Sequence, residues 1–326
     1  MKKFLLFTLG LCACAPANSL EQLKPLQEIA TGIVGAYSIR ISPDGSKLLA
    51  GSSAGQGPQL YELTGFAPVV GFQNYELKNA NGDTAWLKDS QGFIAPNSPM
   101  GFVRLNAQNG AAQPVYANGK LDGVTLSADG TRVASIENGR AVAVFDSNTG
   151  VRLWTIPVKG FVTEVIANPT LESFAVQITV FNASLLSFKD GRQIASVNGA
   201  TGNAFSSDGA TWAVSDTSGL HLYDAVTGEK KQSFVRGGRA QGVAFSPDNR
   251  LIATISNTTN RLLDAKTGDE VWSESRVKGG TIAGGTERVL GFTPDGKYLV
   301  LSKPGTDVIL FYGVPGKSVF KQAKAQ

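Results

Sequence analysis

His221 is the only histidine among 326 residues. It lies in GLHLYD, inside an alternating apolar run that reads as a strand. Serine–histidine–aspartate chemistry needs an imidazole held between a hydroxyl and a carboxylate, and nothing beside His221 in the sequence marks a pocket, so it reads as a structural or surface group. One histidine and two cysteines, Cys12 and Cys14, do not supply a nitrogen and sulfur metal site. Carboxylates remain candidates for a hard cation. Asp44, Asp129, Asp208, Asp248 and Asp295 are the repeated ones, and each stands in a Ser-x-Asp or Thr-x-Asp turn. There a short carboxylate bonds the backbone amides that follow it, so these read as turn residues and no metal is expected. Gly279, Gly280, Gly284 and Gly285 lack the spacing of a phosphate loop and no helix pattern follows them. No cofactor and no catalytic residue is expected.

Binding residues are easier to nominate. Lys120, Lys159, Arg236, Arg239 and Lys278 each lie beside a glycine in the connections between repeating units. Asp122, Glu164 and Glu287 lie close to them in sequence and dilute their field. Two segments depart from the repeat. Residues 92–101 (GFIAPNSPMG) read as a lengthened loop between the second and third strands of the second unit, carrying Phe93, Ile94 and Met100. Residues 275–286 lengthen the connection from the sixth unit to the seventh. Loops of these two kinds leave a four-stranded blade on one face, which suggests a binding surface. Phe93, Met100 and the five cations are the candidate contacts. The four tryptophans, Trp86, Trp154, Trp212 and Trp272, lie in or beside strand positions and read as core.

The elements that must hold these residues are clearest in 241–272. Val243 and Phe245 alternate with small residues. SPDN at 246–249 is a tight hairpin, because proline presets φ at its second position and asparagine tolerates a left-handed backbone. Leu251 to Ile255 form a second strand and Arg261 to Leu263 a third. Gly268 closes the next turn, and Val271 and Trp272 open a fourth strand. Two rulers extend this unit along the chain. Glycines after the third strand fall at Gly65, Gly110, Gly150, Gly191, Gly228, Gly268 and Gly316, about 42 residues apart, the period of a propeller blade. The first hairpin recurs at Ser42, Ser127, Ser206, Ser246 and Thr293. The second unit has a degraded copy at Asn79-Ala80-Asn81-Gly82 and the fourth has Asn168-Pro169-Thr170. A small sheet with two apolar faces cannot bury both alone, so neighbours stack and a ring removes the ends. The expected fold is all-β, a seven-bladed β-propeller of four-stranded antiparallel blades occupying 23–326. Two segments compete to close the ring, 23–32 and 317–322, and the N-terminal one is preferred.

FSPDNRLIATIS and its relatives resemble bacterial WD40-type repeats. FDSNTGVRLW at 145–154 and LDAKTGDEVW at 263–272 resemble the repeat of quinoprotein-type propellers. The resemblance covers roughly residues 23–320. Trp-Asp, which ends the third strand of typical WD40 blades, is replaced here by Phe145-Asp146, Tyr223-Asp224 and Leu263-Asp264, and the Gly-His dipeptide of that family is absent. The resemblance therefore implies architecture and leaves function open. It also implies alternatives to a binding role: a quinone-dependent dehydrogenase, a lactone hydrolase, or a sensor of a small molecule or sugar.

Residues 1–13 read as a signal peptide, with Lys2 and Lys3 before a short apolar run. LCAC at 11–14 looks like a bacterial lipobox, which makes Cys14 the lipidated residue and 14–22 a tether. Cleavage after Ala15-Pro16-Ala17 is the competing reading and would leave a soluble secreted or periplasmic chain. The formal charge is +4, and removing Lys2 and Lys3 reduces it to +2. With no basic run and no aromatic–basic interleaving, nucleic acid is not an expected partner. The expectation is a monomeric, lipid-anchored module of a bacterial cell envelope that recognises a protein or peptide through one propeller face. In layout it resembles the propeller lipoprotein of the outer-membrane β-barrel assembly machinery, a family that usually has eight blades.

Overall fold

The structure is a computed structural model that describes residues 25–30, 36–52, 59–63, 84–97, 101–117, 119–179, 182–275, 290–302 and 308–314. Every regular element in it is a β-strand, and the strands form seven antiparallel sheets. Six sheets have four strands. The first blade shows three among the described residues, Ala36–Ile41, Lys47–Ser52 and Gln59–Glu62. Within each blade the strands follow one another in chain order from the channel outwards, except that the outermost strand of the seventh blade comes from the N-terminal segment. The innermost are Ala36–Ile41, Ala85–Trp86, Leu121–Leu126, Val162–Ala167, Gly202–Phe205, Gly242–Phe245 and Leu290–Phe292.

The core lies between blades rather than inside any one of them. Ala134, Val142 and Val144 of the third blade meet Val165, Phe174 and Phe188 of the fourth. Val197 and Leu185 of the fourth meet Trp212 and Val214 of the fifth. The same pattern continues to the last gap, where Val300, Ile309 and Phe311 of the seventh blade pack on Leu48, Ala50 and Tyr61 of the first. That contact closes the ring by packing. The strand Pro25–Ala30 closes it by hydrogen bonds, pairing antiparallel with Val308–Gly313 as the outermost strand of the seventh blade. The preference for the N-terminal segment is thus met, while 317–322 lie outside the described residues.

Five of the first hairpins are built the same way. Ser42 Oγ donates to Asp44 Oδ1 (2.6 Å), the Ser46 amide donates to the same oxygen (2.9 Å), and the Lys47 amide donates to Ser42 Oγ (2.9 Å). Ser127 with Asp129, Ser206 with Asp208, Ser246 with Asp248 and Thr293 with Asp295 repeat it. The turn-residue reading of these aspartates holds.

The second blade requires a correction. Its first hairpin is Leu87 to Gly92, closed by the Leu87 amide on Gly92 O (2.8 Å), with Asp89 Oδ1 taking the Gln91 amide and Ser90 at φ 60° where the repeat has glycine. The copy expected at Asn79 to Gly82 lies outside the described residues. Gly92–Pro96 is therefore the second strand and not a loop, and Gly101–Asn106 is the third. Phe93, Ile94 and Ala95 are fully buried. A continuous apolar run flanked by turns suits a strand covered on both faces, which is how a blade is covered by its two neighbours.

Candidate functional site

Chain direction sorts the connections into two faces. Turns from first to second and from third to fourth strands form a hairpin face. Turns from second to third strands, together with the links between blades, form a loop face. Among the described residues of the loop-face connections the charged ones are Lys120, Arg140, Lys159, Asp216, Arg236 and Arg239. Five are cations. The single acid is committed internally, since Asp216 Oδ1 accepts the amides of Ser218 (2.7 Å) and Gly219 (3.1 Å). Burial pushes the Asp216 carboxyl up, but hydrogen bonds from Ser218 and His221 outweigh it and hold it below its ordinary value. The hairpin face has the opposite sign. Asp44, Asp89, Asp129, Asp208, Asp248 and Asp295 ring it, one from the first hairpin of every blade but the fourth, and with Glu172, Asp190, Glu229 and Asp269 they outnumber Lys88, Lys189, Arg192, Arg250, Lys266 and Lys297 in the described turns of that face.

Lys120, Lys159, Arg236 and Arg239 are all exposed and come from three separate links on the loop face. Lys159 sits in a link fastened at both ends, by the Val158 amide on Arg140 O (2.8 Å) and the Val162 amide on Gly139 O (2.9 Å). Gly160 there has φ 118°, and a Cβ on it would come within 2.9 Å of Ile178. Arg236 and Arg239 belong to a link held by Ser215, whose Oγ donates to Gly237 O and accepts the Ala240 amide, both at 2.9 Å. Arg239 adopts φ 58° and its amide reaches Asp216 O at 2.7 Å.

The other nominated residues fall elsewhere. Phe93 is 0% exposed in the gap between the first and second blades, against Leu49 and Leu60. It is a core residue and leaves the list of contacts. Cys14, Met100 and Lys278 lie outside the described residues. Two exposed apolar side chains on the loop face were not foreseen. Phe161 is 51% exposed with the Arg140 guanidinium 4.3 Å above its ring, and Val235 is 91% exposed beside Arg236. Their signal in the sequence was an apolar residue adjoining a glycine or cation in a link, where solvent-facing residues are expected to be polar.

His221 is 6% exposed. Its Nδ1 lies 2.9 Å from Ser233 Oγ and its Nε2 lies 3.1 Å from Asp216 Oδ1 and 3.0 Å from Ser218 Oγ. A hydroxyl, an imidazole and a carboxylate thus stand in line at the edge of the fifth blade. The carboxylate is already bonded to its own turn, and the arrangement braces the loop Asp216–Gly219 against the outer strands.

The channel holds a second feature. A cavity of ≈ 480 Å³ is lined by the innermost strands of all seven blades. Counting back from the hairpin residue whose amide closes each first turn puts the blades in register. Two residues before it stand Ala85, Thr125, Ile166, Ala204, Ala244 and Gly291, and in the first blade Arg40. Four residues before it stand Gly123, Gly202 and Gly242, and in the fourth blade Glu164. Arg40 and Glu164 are thus the charged side chains of these two layers among the described residues. Arg40 and Glu164 belong to blades on opposite sides of a seven-membered ring, and Arg40 NH2 reaches to 4.0 Å from Glu164 Oε1. The Trp86 indole donates to Arg40 O (3.0 Å) and fixes the backbone from which the guanidinium projects.

No family model matches the chain, and no curated protein matches it. A solved structure does. The β-propeller domain of Cps50 (Swd1) from Myceliophteria thermophila aligns with a TM-score of 0.70 at 13% identity, over 90% of this chain and 99% of that one. The likeness is one of fold, a seven-bladed β-propeller.

Proposed function

We propose that this chain is a non-catalytic binding module that captures an acidic protein or peptide through its loop face. The observation that carries the reading is the balance of charge among the described residues, with five cations, one acid and the exposed Phe161 and Val235 in the loop-face connections and an excess of acids over cations in the hairpin-face turns. A propeller fold commonly mediates protein interactions, and apolar side chains among like charges are what a partner with complementary acids and a hydrophobic patch would cover. The face gives long-range attraction from its cations and short-range burial from Phe161 and Val235. We place the module at a bacterial cell envelope, held by lipid on Cys14, on the strength of the leader and of LCAC at 11–14. Mass spectrometry of the membrane-bound protein tests that placement; a mature chain that begins at Asn18 without lipid refutes it.

The capture reading is tested by pull-down from envelope membranes. The protein is compared with a variant in which Lys120, Lys159, Arg236 and Arg239 are all changed to alanine. Exposed pairs contribute only about 0–1 kcal/mol each, so single changes should be mild and the combined one strong. Retention of the partner should fall in the variant at low salt. The two proteins should converge at 1 M salt, where the screening length shrinks to about 3 Å. Equal retention at both salts removes the charged face from the mechanism. Loss only on changing Phe161 and Val235 to serine would assign capture to apolar burial.

A further inference from the structure

The channel cavity takes no part in loop-face capture. At ≈ 480 Å³ it has the volume of a small-molecule site. Its wall changes character with depth. At the mouth stand Pro169, Ser206 and Ser207, which belong to hairpin turns, so the cavity extends to the hairpin face. One residue before the amide that closes each first hairpin, the wall is apolar in all seven blades and aromatic in four, at Trp86, Phe205, Phe245 and Phe292. Deeper in the channel the same strands bring polar side chains to the wall, Thr84, Thr125, Asn203 and Gln241 with the charged Arg40 and Glu164. An aromatic collar thus stands over a polar floor.

Much of the floor is committed to the protein itself. Asn203 Nδ2 donates to Gln177 Oε1 and Asn203 Oδ1 accepts the Trp212 indole, both at 3.1 Å. Arg40 and Glu164 face each other at 4.0 Å, and Arg40 Nη1 also donates to Ile39 O (3.2 Å). They are one charge of each sign, and the described wall holds no other. A ligand with a net charge would leave water for a site without a net counter-charge, which is costly. Two groups are open to a ligand. Thr125 Oγ1 accepts the Ala167 amide (3.0 Å), which leaves its hydrogen to donate. The Gln241 side-chain amide has no partner among the described residues, and it both donates and accepts. The wall also leaves space, since a Cβ on Gly291 would meet no atom within 4 Å. A neutral molecule with two unlike parts matches this cavity. A flat ring with apolar faces suits the collar, and hydroxyls, which donate and accept at once, suit the floor. We infer that the channel binds a neutral aromatic glycoside, a nucleoside or an aryl glycoside, with its ring among the four collar aromatics and its sugar hydroxyls on Thr125 and Gln241. Stacking on aromatic side chains tolerates many flat rings, so the shared chemistry of the two sources is what the site reads.

The test uses the purified protein and isothermal titration calorimetry with adenosine, uridine and phenyl β-glucoside. The separated halves, ribose, glucose, adenine and phenol, are the controls. At least one glycoside should bind, and its halves should bind at least about tenfold more weakly, because the whole molecule loses its translational freedom once for both contacts. The glycoside that binds most tightly identifies the source. Adenosine monophosphate should bind more weakly than adenosine, since its phosphate meets no net counter-charge in the wall and enters through a face where acids outnumber cations. Gly291→Phe places a ring in the open space and should abolish binding. Gln241→Leu removes one hydrogen bond and should weaken binding by about threefold to tenfold. Far-ultraviolet circular dichroism confirms that each variant is folded. Should a variant fail to fold, the comparison of whole and half ligands on the unaltered protein still decides the matter. Absence of binding by all three glycosides overturns the proposal. So does a half that binds as tightly as its whole, a monophosphate that binds as tightly as adenosine, or unchanged affinity in a folded Gly291→Phe. None of these outcomes touches loop-face capture, because the four cations altered to test that do not line the cavity.

Discussion

Ser215 is fully buried, and its Oγ donates to Gly237 O and accepts the Ala240 amide and, at a longer 3.4 Å, the Thr201 hydroxyl. Removing it orphans a buried amide as well as a carbonyl, so Ser215→Ala should cost about 1–3 kcal/mol. Because the link it holds carries Arg236 and Arg239, the same change should weaken loop-face capture without altering its charge. Thr84 is the converse case. Its Oγ1 is buried and has no hydrogen-bond partner, so Thr84→Val removes an unsatisfied hydroxyl and should be neutral or stabilising. Urea denaturation of the two variants, compared with the parent, checks both signs; a destabilising Thr84→Val would mean that the hydroxyl is satisfied. Neither residue was legible in the sequence, since the partners of Ser215 lie 22 and 25 residues further along the chain. The channel pair was half legible. Arg40 and Glu164 stand out only after the hairpins are put in register, and before that Glu164 reads as one more acid near a basic link. Phe93 was misread because the second hairpin carries Ser90 instead of glycine, which hid the turn and made a strand look like a loop.

At the scale of the element, the hairpin is both the signature that made the fold readable and the joint that couples blades. Its aspartates bond their own turns, and the turns bond one another around the ring. The Asp44 amide donates to Ser90 Oγ (3.0 Å), Asn168 Nδ2 to Gly209 O (2.8 Å), and the Ser207 amide to Asn249 Oδ1 (2.7 Å). Hydrogen bonds from Ser127 and the Thr131 amide, working against partial burial, hold Asp129 below its ordinary 3.8; for Asp208 the donors are Ser206 and the Ala210 amide. The amides of Thr149 and Thr267 do the same for Asp146 and Asp264. A carboxylate whose pKa is lower in the folded chain stabilises it above the unfolded value and withdraws that help as pH falls through the folded value. Thermal stability should therefore decline progressively as pH is lowered beneath about 4, in many small steps because these groups are mostly exposed and screened. Asp122 has the opposite sign. Burial pushes its carboxyl up, against the pull of Lys120, so its ionised form opposes folding. Asp122→Asn should raise the melting temperature at pH 7, and the gain should shrink as pH falls to where the wild-type carboxyl is protonated. A gain that is the same at pH 7 and pH 3 would mean that charge at Asp122 is not its cause.

For the whole molecule, the decisive contact joins the two ends of the described chain. The strand Pro25–Ala30 pairs with Val308–Gly313 across nearly the full length of the sequence. The repeat pattern showed that a closing strand was needed and left two candidates for it, because a strand of that kind has no hairpin of its own to mark its partner. Closing so long a loop carries an entropy cost, and the return is a seventh blade whose third strand is covered on its outer side by Pro25–Ala30. Without Pro25–Ala30, the third strand of the seventh blade presents unpaired amides and carbonyls and becomes a template for other chains. A chain beginning at residue 31 should therefore aggregate or melt well below the full protein. The vacancy is also a binding site for an extended peptide, since main-chain bonds supply affinity in strand addition. A synthetic peptide of residues 23–32 added in excess should return the truncated chain to a monomer on size-exclusion chromatography and raise its melting temperature. A scrambled peptide of the same composition should not, because register against Val308–Gly313 is what orients its side chains. If the truncated chain is already a stable monomer, the ring does not depend on this strand. If both peptides rescue it equally, the pairing lacks the specificity that closure of a single ring demands.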